Sequence, residues 1–256
     1  MTAFNNSLKC LAILCSILLS ISCESSKSNE SQSLNKIASS TTEKLKAKEE
    51  TQEVKIDTLR GIDVSHYQGD VDWAKVKSAG MHFGIAKSTE GLSYVDPKFN
   101  ENWKNIAAAG LYRGTYHFFV ANDDPLKQAD HFINTVGSIE NHHINPILDL
   151  EANIGDLTVE QYQKNVLIWL NRIEEKMGVL PLIYTDHPFG NANLNNEKFS
   201  KYKLWLAEYG AKHANVPDSW SDKGWSAWQF TSHDHLNGVN GNVDESKFFS
   251  SLLINQ

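Results

Sequence analysis

The amino-acid sequence predicts an α/β fold in which mostly parallel strands and their connecting helices close into an irregular barrel. Three observations lead there. From Leu59 onward, short runs rich in β-branched and aromatic residues alternate with stretches of helical period, the pattern of strands joined by crossover helices in a parallel sheet. Gly80, Gly110 and Gly178 follow the helical stretches, where a helix ends readily on a residue free to turn left-handed. The roughly 195 residues of this region hold seven or eight such strands, enough to suggest a barrel.

Taken in order, strands are expected at residues 60–64, 82–87, 112–119, 144–150, 180–184, 203–207 and 226–230. Amphipathic helices are expected at 73–79, 97–109, 125–138 and 159–176. Beyond residue 180 the helical stretches are short or missing, so the barrel is expected to be TIM-like without regular eightfold form.

The segment ahead of this domain has a different character. Lys9 precedes an apolar run over residues 11–21, too short to span a bilayer comfortably and suited to the apolar region of an export signal. Small residues, Cys23 and a polar tail follow, an arrangement that resembles a bacterial lipoprotein signal, although Ser20 stands where leucine is usual. Residues 1–22 are therefore read as a lipoprotein-type signal peptide. Cys23 is the expected lipidation site, anchoring the exported protein to a membrane of the cell envelope. Residues 23–58 are rich in Ser, Glu, Lys, Thr, Asn and Gln and hold no aromatic residue, so they are expected to form a flexible polar tether. An outward-facing tether suits work on material at the cell surface.

The formal net charge is −7, and residues 24–60 carry seven basic and seven acidic side chains, so the acidity belongs to the domain. An acidic domain excludes nucleic acid as an expected partner, because phosphate binding needs a basic face. All three cysteines lie within the first 23 residues. The domain can thus contain neither a disulfide scaffold nor a cysteine nucleophile or metal ligand. A monomer without cofactor is expected.

Asp63 ends the first strand, Asp149 and Glu151 end the fourth, and Asp244 follows the last strand region. Residues two apart on a strand point the same way, so Asp149 and Glu151 converge while Leu150 turns away. Like charges held together push one pKa up, leaving an acid beside an anion. Glycoside hydrolysis needs such a pair, although strand-end acids also serve structural roles and metal-dependent hydrolases. Aromatic residues at the strand ends, including Tyr116, Tyr184, Trp205 and Trp228, supply flat faces for sugar rings. Trp103 and Trp169, both in helical stretches, are assigned to the core. The adjacent His142 and His143, and the loop residues His233 and His235, form no recognised ligand run. No catalytic metal is expected.

With these residues in view, the domain resembles glycoside hydrolase family 25, the Chalaropsis-type lysozymes or N-acetylmuramidases. Eight blocks carry the likeness in order: GIDVSHYQGDVDW at 61–73, AKSTEGLSYVD at 86–96, GTYHFF at 114–119, PILDLEAN at 146–153, LIYT at 182–185, LWLAEYG at 204–210, WQFTS at 228–232 and GNVDES at 241–246. Two departures stand out. Ala86 replaces a larger apolar residue, and Glu208 stands where the family often has a basic one, which would alter the charge of a substrate groove.

The resemblance implies a TIM-like barrel spanning residues 59–256 as the catalytic domain. It implies hydrolysis of the β-1,4 bond between N-acetylmuramic acid and N-acetylglucosamine in the glycan strands of peptidoglycan. Glu151 would be the general acid, and Asp149 would stabilise the cationic transition state or orient the acetamido group. Asp63 and Asp244 would hold substrate, tune the pair or position water. Tyr116, Tyr184, Trp205, Trp228 and Gln229 would line the groove. Glu90, in the second block, is left outside the catalytic set. The stereochemical course stays open, as do three other readings: a non-catalytic wall-binding protein on the same fold, a metal-dependent hydrolase, and an enzyme of the same family acting on a different wall glycan or a chitin-like polymer.

Overall fold

A computed structural model describes residues 57–140 and 143–254. The expected signal peptide, Cys23, nearly all of the tether and His142 lie outside the described residues. The elements run β1 (Thr58–Val64), α1 (Trp73–Ser78), β2 (Phe83–Glu90), β3 (Tyr94–Val95), α2 (Phe99–Ala108), β4 (Tyr112–Phe118), α3 (Pro125–Val136), β5 (Ile147–Asp149), α4 (Val159–Met177), β6 (Leu182–Asp186), α5 (His187–Asn193), β7 (Lys203–Ala207), β8 (Ala227–Asp234), β9 (Val243–Phe249) and α6 (Ser251–Ile254).

Eight strands close a ring in the order β1, β2, β4, β5, β6, β7, β8, β9, and back to β1. The pairs from β1 through β8 are parallel. β9 closes the barrel by pairing antiparallel to both neighbours. The two-residue β3 lies outside the ring, antiparallel to the end of β2. All seven expected strands are present. Asp244, expected after the last strand, lies instead inside β9. Three charged residues, Asp244, Glu245 and Lys247, interrupt the apolar alternation of this strand and hide it.

The expected thinning of the later helices is observed. α5 has seven residues, a single 3-10 turn at Asp218–Trp220 follows β7, and β8 leads into β9 without a helix. Local chemistry explains the longer elements. Thr158 and Gln161 form a reciprocal cap at the start of α4, satisfying two otherwise unpaired backbone donors. The helix stops on Gly178, which is left-handed at φ 71°.

Strand alternation divides the core into an interior and two outer layers. Phe83, Ile85, Ile147, Leu182, Trp205, Ala227 and Phe248 fill the barrel. Leu148, Leu150, Ile183, Leu204 and Leu206 face outward onto α3 and α4, against Phe132, Trp169 and Leu170. Trp169 is therefore core, as expected, whereas Trp103 is only partly buried at the edge of the layer holding α1 and α2. Gly61 is required inside the barrel: a methyl group there would come within 2.3 Å of the Phe83 ring on the paired strand. Burying each large apolar side chain contributes about 1.5–3 kcal/mol, so the filled lower barrel forms a firm floor for the upper mouth.

Candidate active site

At the C-terminal mouth, one pocket of about 90 Å³ is lined by Asp63, Tyr116, Asp149, Glu151, Tyr184, Trp205, Gln229 and Asp244. Each arrives by strand alternation. Ile62 and Val64 point outward on β1, so Asp63 points in. Leu148 and Leu150 enter the outer core, which turns Asp149 and Glu151 to the opposite side. Asp244 is paired directly across the antiparallel ladder with Asp63.

Gln229 joins the two sides of the pocket. Its amide nitrogen donates to Asp63 Oδ2 at 2.9 Å. Its amide oxygen accepts from the Tyr184 hydroxyl at 2.8 Å and the Tyr209 hydroxyl at 2.7 Å. Trp205 packs edge-on against Tyr184 with ring centroids 4.7 Å apart, and its indole nitrogen donates to Ser246 Oγ at 3.0 Å. These bonds fix the aromatic floor below the carboxylates.

The four acids differ in exposure. Asp63 and Asp149 are buried, Asp244 is half-buried, and Glu151 is exposed at the rim. Asp149 Oδ1 is buried without a hydrogen-bond partner among the described residues. Burial pushes all four carboxyls above the usual range, and mutual repulsion adds to it for all but Asp244. Asp63 is raised by burial and then by Asp244, with the Gln229 hydrogen bond opposing. Asp149 is raised by burial and then by Glu151. Glu151 is raised by partial burial, then by Asp186 and Asp244. Asp244 is pushed up to about 6 by burial, with His233 opposing. Protons in such a cluster belong to the group rather than to one residue.

Eight of the nine residues predicted for catalysis or sugar contact therefore meet in this pocket; Trp228 does not. Gln229 faces inward, so its neighbour Trp228 must face outward. There Trp228 packs edge-on against Trp225 at 5.8 Å, lies 4.1 Å below Lys247 Nζ, and donates its indole N–H to the Glu208 carbonyl at 2.7 Å. Glu208 does not line the pocket either. Its carboxylate accepts from the Asn215 backbone and side-chain amides, holding a loop. Ala86 is buried in the outer layer over α1 and α2, a packing position only.

Lys87 belongs to the second family-like block, where the sequence assigns it no role. It follows Phe83 and Ile85 on the inward face of β2 and is 8% exposed. Its ammonium bonds Glu90 at 2.5 Å and lies 4.9 Å above the Phe118 ring. It favours the ionised forms of both Asp149 and Glu151. The inward alternation of residues 83, 85 and 87 was the available signal. Of the histidines set aside as metal ligands, His143 bonds Arg113, while His233 and His235 bond Ser232 and Gly241. Among the described residues no three His, Cys, Asp or Glu side chains are grouped to hold a metal ion.

Comparison with known proteins agrees with this geometry. The chain is 34% identical over 203 residues to Lysozyme M1 of Streptomyces globisporus, covering 75% of this chain and 68% of that one. It is 29% identical over 208 residues to the N,O-diacetylmuramidase of Chalaropsis sp, covering 74% and 98%. The crystal structure of the bacterial lysozyme from Streptomyces coelicolor superposes with a TM-score of 0.72 at 32% identity, over 77% of this chain and 97% of the other. The model of Glycosyl hydrolases family 25 matches residues 62–239, and the chain belongs to that family.

Proposed function

We propose that this glycosidase is a muramidase, cleaving the β-1,4 bond between N-acetylmuramic acid and N-acetylglucosamine in peptidoglycan. The observation that carries the reading is the convergence of Asp149 and Glu151 in one pocket, one carboxyl deep and one at the rim. Glu151 is open to the leaving oxygen and is the general acid. Asp149 keeps a buried, unpartnered oxygen, suited to accept the N–H of a substrate acetamido group and orient it. Asp63 and Asp244 tune the pair, and the Tyr116, Tyr184, Trp205 and Gln229 wall holds the sugar. The names of the relatives, a lysozyme and a diacetylmuramidase, support the same substrate.

The test is release of reducing ends from purified peptidoglycan by the full chain, wild type beside Glu151→Gln. General acid catalysis contributes about two to four orders of magnitude. A drop of that size, with N-acetylmuramic acid at the new reducing end, is expected. Equal activity in the two proteins would remove Glu151 from its role.

The signal-like segment and Cys23 support a second part of the proposal: the enzyme is exported and held in the cell envelope by lipid on Cys23. Cys23→Ser is expected to move the protein from the membrane fraction to the soluble fraction. Unchanged membrane association would reject the anchor.

A further inference from the structure

The pocket holds about 90 Å³, room for about three water molecules. It is far smaller than a glycan strand, which must continue from it across the rim. One side of that rim carries an unusual concentration of exposed apolar surface. Tyr67 is 83% exposed, with Leu92, Tyr94 and Val95 at 43%, 39% and 40%. Tyr67 lies just past β1, and the other three lie at or just past the end of β2. All four are thus at the same end of the barrel as the carboxylates.

This ledge is rigidly built. A reciprocal cap between Ser65 and Gln68 holds the 3-10 turn that carries Tyr67. The buried Asp96 carboxylate accepts from the His66 backbone amide at 3.0 Å and contacts His66 Nδ1 at 2.8 Å. The Tyr67 ring rests against the His66 ring at 4.1 Å, and the Tyr94 hydroxyl reaches His66 Nδ1 at 3.2 Å. The β2–β3 pairing fixes Tyr94 opposite Glu90. Lys87 ties the ledge to the inward face of β2: its Nζ lies 5.5 Å from the Tyr94 ring centre and bonds Glu90, the residue opposite Tyr94, at 2.5 Å.

The order of the ring gives a direction. β7 lies four places round from β2, diametrically opposite in an eight-stranded ring, and just past it stands Tyr209, 51% exposed. β9, carrying Asp244, stands likewise opposite β5, which leads into Glu151. A line from the ledge to Tyr209 therefore passes between Glu151 and Asp244.

We propose that Tyr67 and Tyr94, backed by Leu92 and Val95, form a second saccharide site that stacks a sugar of the glycan strand beyond the linkage being cut. The ligand is a pyranose with an exposed C–H face, and the strand runs from this ledge across the carboxylates toward Tyr209. Tyrosine suits such stacking because its ring gives a large contact surface for the loss of only two side-chain torsions. The proposal rests on the muramidase reading and adds the path of the strand.

The test measures binding of a tetrasaccharide and an octasaccharide of alternating N-acetylglucosamine and N-acetylmuramic acid by titration calorimetry. The protein is the full chain carrying Glu151→Gln, and wild type is assayed for cleavage of both oligomers in parallel. The octasaccharide is expected to bind more tightly than the tetrasaccharide. Adding Tyr67→Ala and Tyr94→Ala is expected to erase that gain, weakening octasaccharide binding by roughly three- to tenfold. Tyr67→Trp, with Tyr94 intact, keeps the gain because a stacking face remains. Leu180→Ala, at the other end of the barrel and 44% exposed, keeps it as well. Persistence of the length gain in the double variant, with wild type cleaving normally, overturns the ledge alone. Loss of binding to anionic phospholipid vesicles with glycan binding intact also overturns it and makes the ledge a membrane contact. Wild type that neither binds nor cleaves either oligomer overturns the muramidase reading, and the ledge with it.

Discussion

At the scale of single residues, four acids share a small pocket, and Lys87, buried on the inward face of β2, is a cation outside its lining. Its charge opposes the burial and repulsion that hold protons on Asp149 and Glu151. Lys87→Met removes this opposition, so both carboxyls rise further and the pH–activity profile is expected to move to higher pH. Lys87→Arg keeps the charge and stays closer to wild type. A pH series of reducing-end release checks this; a shift to lower pH, or none, would contradict it. The spacing of Asp149 and Glu151 made their convergence legible in the sequence, because alternation along a strand is a local property. The same rule excludes Trp228 and Gln229 from facing one pocket together. An abundance of aromatics at strand ends hid that conflict, and the outward contact with Lys247 decided it.

At the scale of elements, close approach of helix and strand leaves no room at particular positions. A methyl group at Gly84 would come within 2.4 Å of the Trp73 ring of α1 and 3.1 Å of Ile106 on α2. Gly84→Ala is therefore expected to destabilise the fold by about 1–3 kcal/mol, the usual cost of overpacking. Denaturant unfolding would reveal it, and a neutral result would mean that α1 can move away freely. Elsewhere in the ring β8 leads into β9 without a helix, and side chains take the place of a covering one. Trp225, Trp228, Phe249 and the Lys247 stem shield this outer face. β9 escaped sequence recognition because its charges satisfy specific partners rather than a period: Glu245 pairs with Arg60, and Asp244 turns into the mouth.

For the whole molecule, the acidic mouth carries a cost in stability, because its carboxyls are buried together. Burial pushes the Asp244 carboxyl up to about 6 from its usual 3.8. Between these values the folded chain holds a proton that the unfolded chain has lost. Its contribution is thus fully present below pH 3.8 and disappears as pH rises through 6. Asp244→Asn is expected to raise stability at pH 7 by ~1–2 kcal/mol after allowance for its partial exposure. That corresponds to a melting temperature higher by roughly 3–6 °C, with a smaller gain at pH 4 and a loss of activity. Equal gains at the two pH values would separate the effect from the titration of Asp244. Legible in the sequence were the seven strands and their mostly parallel character, the thinning of the later helices, and the strand ends that carry Asp63, Asp149 and Glu151. Each of these follows from periods and turn residues that act within a few positions. Tertiary contacts were needed to show that an antiparallel β9 closes the ring and sets Asp244 opposite Asp63, that Lys87 is buried on the inward face of β2, and that Asp149 lies deeper than Glu151. Those outcomes depend on burial and on contacts between residues far apart in the chain, which no local pattern encodes.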